Sequence, residues 1–118
     1  SEGLLTSPFF SRHIPGGRCI IPARLYYEWR KTSDNKKIKY SIFDSENKPL
    51  FMAGLMKSES NGNNSYVIIT REAAENIKFI HDRMPLLLTK YEAVSWLAPE
   101  FISELLKSDS ISVSYDVM

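Results

Sequence analysis

A chain of 118 residues, 43% hydrophobic and 25% charged, has the make-up of one globular domain and excludes bulk disorder. No apolar run reaches the ~20 residues of a membrane-spanning helix, and no basic-then-apolar leader opens the chain, so no membrane partner is expected. One cysteine, Cys19, excludes an internal disulfide, and one thiol with two scattered histidines makes no metal framework.

The single thiol favours a reducing, cytoplasmic setting. The net charge of +1 points neither toward nor away from nucleic acid, but its distribution is uneven. Residues 1–40 carry eight Lys/Arg against three Asp/Glu, a balance of +5. Residues 41–118 carry seven against eleven, a balance of −4. The basic part interleaves Arg12, Arg18, Arg24, Arg30 and Lys31 with aromatics. That is either a footprint for phosphates or a set of charges pointing outward from half-buried strands.

In chain order, residues 7–17 (SPFFSRHIPGG) read as irregular, punctuated by Pro8, Pro15 and Gly16-Gly17. Residues 18–31 (RCIIPARLYYEWRK) read as strand, broken near Pro22. A polar turn over 32–37 leads to KIKYSIFD (37–44), which alternates with Ile38, Tyr40 and Ile42 on one face. After a turn at 45–49, LFMAGLMK (50–57) is nearly apolar throughout and is expected to be buried on both faces. Asn61-Gly62 is a hairpin signal, since a type I′ turn needs positive φ at both central residues, and SYVIIT (65–70) pairs back. Then the period changes. Thr70 is placed to cap a short helix with Ala73, Ala74, Ile77 and Ile80 on one face. MPLLL (84–88) returns to strand. TKYE (89–92) is a capping box opening a helix to about Leu97. Pro99 fits the first position of another helix, with Phe101, Ile102, Leu105 and Leu106 inward. ISVSYDV (111–117) alternates as a last strand. The expected architecture is one α+β domain: a mainly antiparallel curved sheet or open barrel with a few short peripheral helices.

Two stretches place acids or bases among apolar neighbours. In LYYEWRK, strand geometry puts Tyr26, Glu28 and Arg30 on one face and Tyr27 and Trp29 on the other. A carboxylate on a partly buried face suits general acid–base work; on a solvated face Glu28 simply pairs with Arg30 or Lys31. In FIHDRMP (79–85), His81 carries the side chain that ordinarily titrates nearest neutrality, and Arg83 suits bidentate contact with phosphate. The alternative is a polar helix end complementing the dipole and stopped by Pro85. Nucleophile-elbow, P-loop and dinucleotide-binding glycine motifs are absent, and Cys19 reads as a small core residue.

Taken together, RCIIPARLYYEWRK, PLFMAGLM, YVIITREA, IHDRMPLLL and WL occur in an order that resembles the SOS-response-associated peptidase (SRAP) family, from about residue 1 to residue 117. The opening Ser1-Glu2-Gly3 is similar to the tail of the family's Asn-Ala-Arg-Ser/Ala-Glu segment. The resemblance implies abasic-site crosslinking to single-stranded DNA through an N-terminal cysteine, exposed by removal of the initiator methionine. Its amine forms a Schiff base and its thiol closes a thiazolidine. The assisting glutamate matches Glu28, the histidine matches His81, and Arg83 matches a residue that contacts the DNA backbone. Arg12 and Arg30 are further candidates for DNA contact. The resemblance further implies no cofactor, a monomer, and a cytoplasmic, nucleoid-associated place if the source is bacterial. The N-terminal cysteine segment, the family's asparagine and a C-terminal tail are expected to lie outside residues 1–118. Internal Cys19 has no free α-amine and cannot form a thiazolidine. Arg24-Leu25 replaces the family's frequent Asp-Gly, which predicts a different local turn. The alternatives are a non-catalytic module of the same fold that binds single-stranded DNA or a repair protein, and an unrelated α+β interaction domain with Glu28 and His81 far apart.

Overall fold

A computed structural model describes residues 17–58, 62, 64–98 and 103–118. The fold is α+β, with mostly antiparallel strands and one α-helix among the described residues. Strands β1 (Arg18–Ala23), β2 (Leu25–Lys31), β3 (Lys37–Asp44), β4 (Leu50–Ser58), β5 (Asn64–Ile68), β6 (Thr70–Glu72), β7 (Arg83–Pro85) and β8 (Leu87–Leu88) precede helix α1 (Lys90–Leu97), and β9 (Val113–Val117) follows it. One sheet has the order β1-β4-β5, with β8 also pairing β4. A second has the order β2-β3-β9, and β6 pairs β7 as a short ribbon. Among the described residues the sheets form no closed barrel.

In the first sheet β1 and the first part of β4 are buried on both faces, and the sequence shows why. In β1, Cys19 and Ile21 point into one core while Ile20 points into another. In β4, Leu50 and Met52 join the first core and Ala53 the second. Near-continuous apolar strands are what a doubly covered sheet requires. The covered run ends at Leu55, which is exposed. The second core holds Trp96 of α1, whose Nε1–H donates to the Cys19 carbonyl at 3.0 Å. The first core lies on the opposite face of this sheet. It is closed by Tyr26, Tyr40 and Ile42 from the second sheet and by Ala73, Ile77 and Ile80 from the segment between β6 and β7.

Several boundaries differ from expectation. The break between β1 and β2 falls at exposed Arg24, and Pro22 pairs with Phe51 inside β1. The β4–β5 hairpin forms, but its register closes at Ser58 and Asn64, so residues 59–63 link the strands; of the Asn61-Gly62 pair only Gly62, at φ 87°, is described. The helix expected from Thr70 is absent: Thr70–Glu72 is strand, and only Glu75–Ile77 makes a 3-10 turn. Pairing of Thr70 with Pro85 and Glu72 with Arg83, closed by the Ala73 N–H to Asp82 carbonyl bond of 2.9 Å, takes the backbone groups a helix would need. Ile77 and Ile80 still go inward, because a spacing of three serves a 3-10 turn as well as an α-helix. After Pro99, Phe101 and Ile102, which lie outside the described residues, Ser103–Lys107 is 3-10. Leu105 packs on the second core, whereas Leu106 is exposed.

Gly17 begins the described chain at φ 67°; its carbonyl accepts from the Met56 N–H, and a Cβ there would lie 2.6 Å from the Met56 oxygen. Only glycine meets both constraints.

Candidate functional site

The alternation of β2 sorts its residues as the sequence predicts. Glu28 pairs with Tyr40, Tyr26 with Ile42 and Arg30 with Ile38, so these six share the face turned toward the first core. Glu28 is 7% exposed and Tyr26 2%. Burial removes the solvated-face reading of Glu28. The Tyr26 hydroxyl has no hydrogen-bond partner among the described residues. Burial first, then the charge of Glu28, push its phenol well above the ordinary tyrosine range, so it stays protonated. On the outer face, Lys39 lies 4.2 Å from the Tyr27 ring centroid and 5.5 Å from that of Trp29.

The FIHDRMP stretch is a turn entering β7, not a helix end. The His81 side chain is 43% exposed. Its Nδ1 faces the Arg83 backbone, accepting the N–H at 3.2 Å in one tautomer and donating to the carbonyl at 3.3 Å in the other. The Asp82 carboxylate lies 3.6 Å from the same nitrogen. The Arg83 guanidinium donates to the Thr70 carbonyl at 3.0 Å and to Thr70 Oγ1 at 3.2 Å, both neutral acceptors. Its neighbour Glu72 is taken by Lys78 at 2.6 Å, and that bond holds the Glu72 carboxyl below the usual range. Among the described residues neither Arg83 nor Arg30 has an ion pair.

The Phe79 ring joins these two parts. It meets Tyr40 edge-on at 5.6 Å and Tyr115 at 5.2 Å, and the Arg30 guanidinium lies 5.7 Å from its centroid. Tyr40 is the cross-strand partner of Glu28, and Phe79 is two residues from His81. One aromatic cluster thus has Arg30 against Phe79, Glu28 across the strands from Tyr40, and the His81–Arg83 turn following Phe79 in sequence. Arg12 lies outside the described residues. The sequence did not single out Phe79, Tyr40 or Tyr115; the one available signal was that Phe79 is an aromatic off the face shared by Ile77 and Ile80. The described residues contain no group of three or more His, Cys, Asp or Glu able to hold a metal. No helix among them is long and apolar enough to cross a membrane.

The α+β fold is the setting in which the comparisons with known proteins fall. The family described as SOS response associated peptidase (SRAP) matches residues 1–115, and the chain belongs to it. It is similar to abasic site processing protein YobE of Bacillus subtilis, 36% identical over 104 residues covering 85% of this chain and 48% of that protein. It is similar also to YedK of Escherichia coli, 32% identical over 105 residues (84% and 46%), and to HMCES of Xenopus tropicalis, 34% over 104 residues (70% and 31%), both named abasic site processing proteins. A crystal structure of a Bacteroides thetaiotaomicron protein matches with a TM-score of 0.72 at 28% identity, covering 89% of this chain and 50% of that one. The chain spans about half the length of the curated bacterial relatives it matches.

Proposed function

We propose that the protein acts on abasic sites in single-stranded DNA, with Glu28 and His81 moving protons and Arg83 and Arg30 contacting phosphates. The observation that carries this reading is the burial of Glu28 on the face whose Tyr40 is joined, through Phe79, to the half-exposed His81–Arg83 turn. The names of the relatives support the substrate. An abasic site has no base to read, so unpaired guanidinium groups on the backbone suit it.

We infer the finer chemistry from the resemblance to the family. Opening the deoxyribose ring moves a proton from the C1′ hydroxyl to the ring oxygen. The α-amine of an N-terminal cysteine adds to the C1′ aldehyde, and water leaves to give the imine. The thiol then adds across the imine carbon, its proton passing to nitrogen. Each step needs a group that gives and takes a proton in place, which a buried carboxyl and an imidazole with a free Nε2 supply. The nucleophile is not Cys19, which is internal and fully buried. Methionine removal is the peptidase step of this reading.

The test incubates the full-length protein with an abasic single-stranded oligonucleotide. A denaturant-stable adduct is expected. Glu28→Gln should slow its formation on the order of 10²–10⁴-fold, the usual worth of a general acid–base group, and His81→Ala should slow ring opening or reversal comparably. No adduct, or rates untouched by both changes, overturns the reading. A salt-dependent shift without an adduct instead supports the non-catalytic binding module.

A further inference from the structure

We propose that Phe79 and Tyr115, with Arg30 beside them, form a stacking platform for a base adjoining the abasic site in bound single-stranded DNA. The inference rests on the substrate reading above and adds a contact to the normal part of the strand.

Three observations carry it. Phe79 is 45% exposed and Tyr115 40%, although both are large aromatics in contact with each other at 5.2 Å. They are held from below: Tyr40, itself buried, meets Phe79 at 5.6 Å and Tyr115 at 5.8 Å, so the exposed rings are fixed in orientation. A ring already fixed loses little freedom when a partner stacks on it. The cluster is also cationic at its edge, since Arg30 reaches Phe79 without an ion pair among the described residues. Fixed aromatic faces beside an uncompensated guanidinium match the alternation of base and phosphate along a single strand. An apolar protein partner would leave that guanidinium uncompensated. The position is suitable as well, because Tyr40 faces Glu28 across the strands and Phe79 leads into His81. A sugar lacking its base at Glu28 would have its neighbour's base within reach of the platform.

The test uses the full-length protein and single strands carrying a tetrahydrofuran abasic analogue, which has no aldehyde and cannot crosslink. In one strand ordinary purines flank the analogue. In the other the flanking nucleotides are analogues too. Fluorescence anisotropy at fixed salt gives both affinities. Wild type should bind the purine-flanked strand about ten- to hundredfold tighter, the usual worth of one stacked base. Phe79→Leu, which keeps apolar packing on Tyr40 but has no π face, should lose that preference, and Phe79→Trp should restore it. A wild type that forms the covalent adduct yet shows no flanking-base preference, or a Phe79→Leu protein that keeps the preference, overturns the platform and leaves the substrate reading intact. A wild type that neither binds nor crosslinks overturns both.

Discussion

Tyr26 shows how one side chain registers the charge at the site. Its phenol is buried without a hydrogen-bond partner among the described residues, beside Glu28. In the unfolded chain a tyrosine ionises near ~10. In the folded chain burial and Glu28 hold the proton to higher pH. Above pH ~10 the unfolded state therefore binds fewer protons, and stability falls as pH rises; below that value the contribution is fully present. Tyr26→Phe should flatten this alkaline loss and leave the protein equally stable or more stable at neutral pH, by up to ~1–3 kcal/mol, because it removes an unsatisfied buried hydroxyl. Urea midpoints at pH 8 and 10.5 decide it; an unchanged difference between the two would mean that burial and Glu28 do not hold the phenol's proton to higher pH. Such a hydroxyl was not legible in the sequence. LYYEWRK shows which residues share a face, but not that the hydroxyl at the end of Tyr26 meets no acceptor.

At the scale of elements, α1 is the part most fully written in the sequence. Thr89 Oγ1 accepts the Glu92 N–H at 3.0 Å, and the Glu92 carboxylate accepts the Thr89 N–H at 3.0 Å, as TKYE predicts. Both ends of the helix are tied to distant chain. Glu92 also accepts the Ser108 hydroxyl at 2.9 Å, while Arg18 donates from Nε to the Trp96 carbonyl at 2.7 Å and from Nη2 to the Ala98 carbonyl at 2.6 Å. Thr89→Ala should cost ~1 kcal/mol and Thr89→Ser much less, in urea unfolding. Glu92→Ala should cost more than Thr89→Ala, because it loses the Ser108 bond as well; equal losses would show that this bond carries nothing. The segment after β5 is the contrary case. Its apolar spacing fits a helix, yet pairing with Arg83–Pro85 claims the Thr70–Glu72 backbone. Local spacing cannot reveal a partner strand more than ten residues away.

At the scale of the whole molecule, the doubly covered β1 makes Cys19 a reporter of global opening. It is fully buried in β1 between its neighbours in both cores, and burial pushes its thiol up from the ordinary range. A buried, protonated thiol is a poor nucleophile. In the native protein, alkylation of Cys19 followed by peptide mass spectrometry should proceed only as fast as the molecule unfolds, and should accelerate with urea along the global transition. Rapid labelling in the absence of urea would mean that β1 opens locally, and that the two cores do not act as one unit.

What the residues alone determined is what depends on short-range chemistry. The alternation of β2 and β3, the twice-buried β4, the capping box, and the face shared by Tyr26, Glu28 and Arg30 all follow from side-chain period and local hydrogen bonding. The order of the YYEW and HDRMP motifs indicated the family for the same reason: a motif is a local pattern. What only the tertiary structure decided is how the two motifs meet. β2 and the 79–83 turn lie about fifty residues apart in sequence, and the Tyr40–Phe79 contact joins the strand beside β2 to the residue that leads into the turn. That packing is a sum of many small contacts over the whole fold, so no window of sequence contains it.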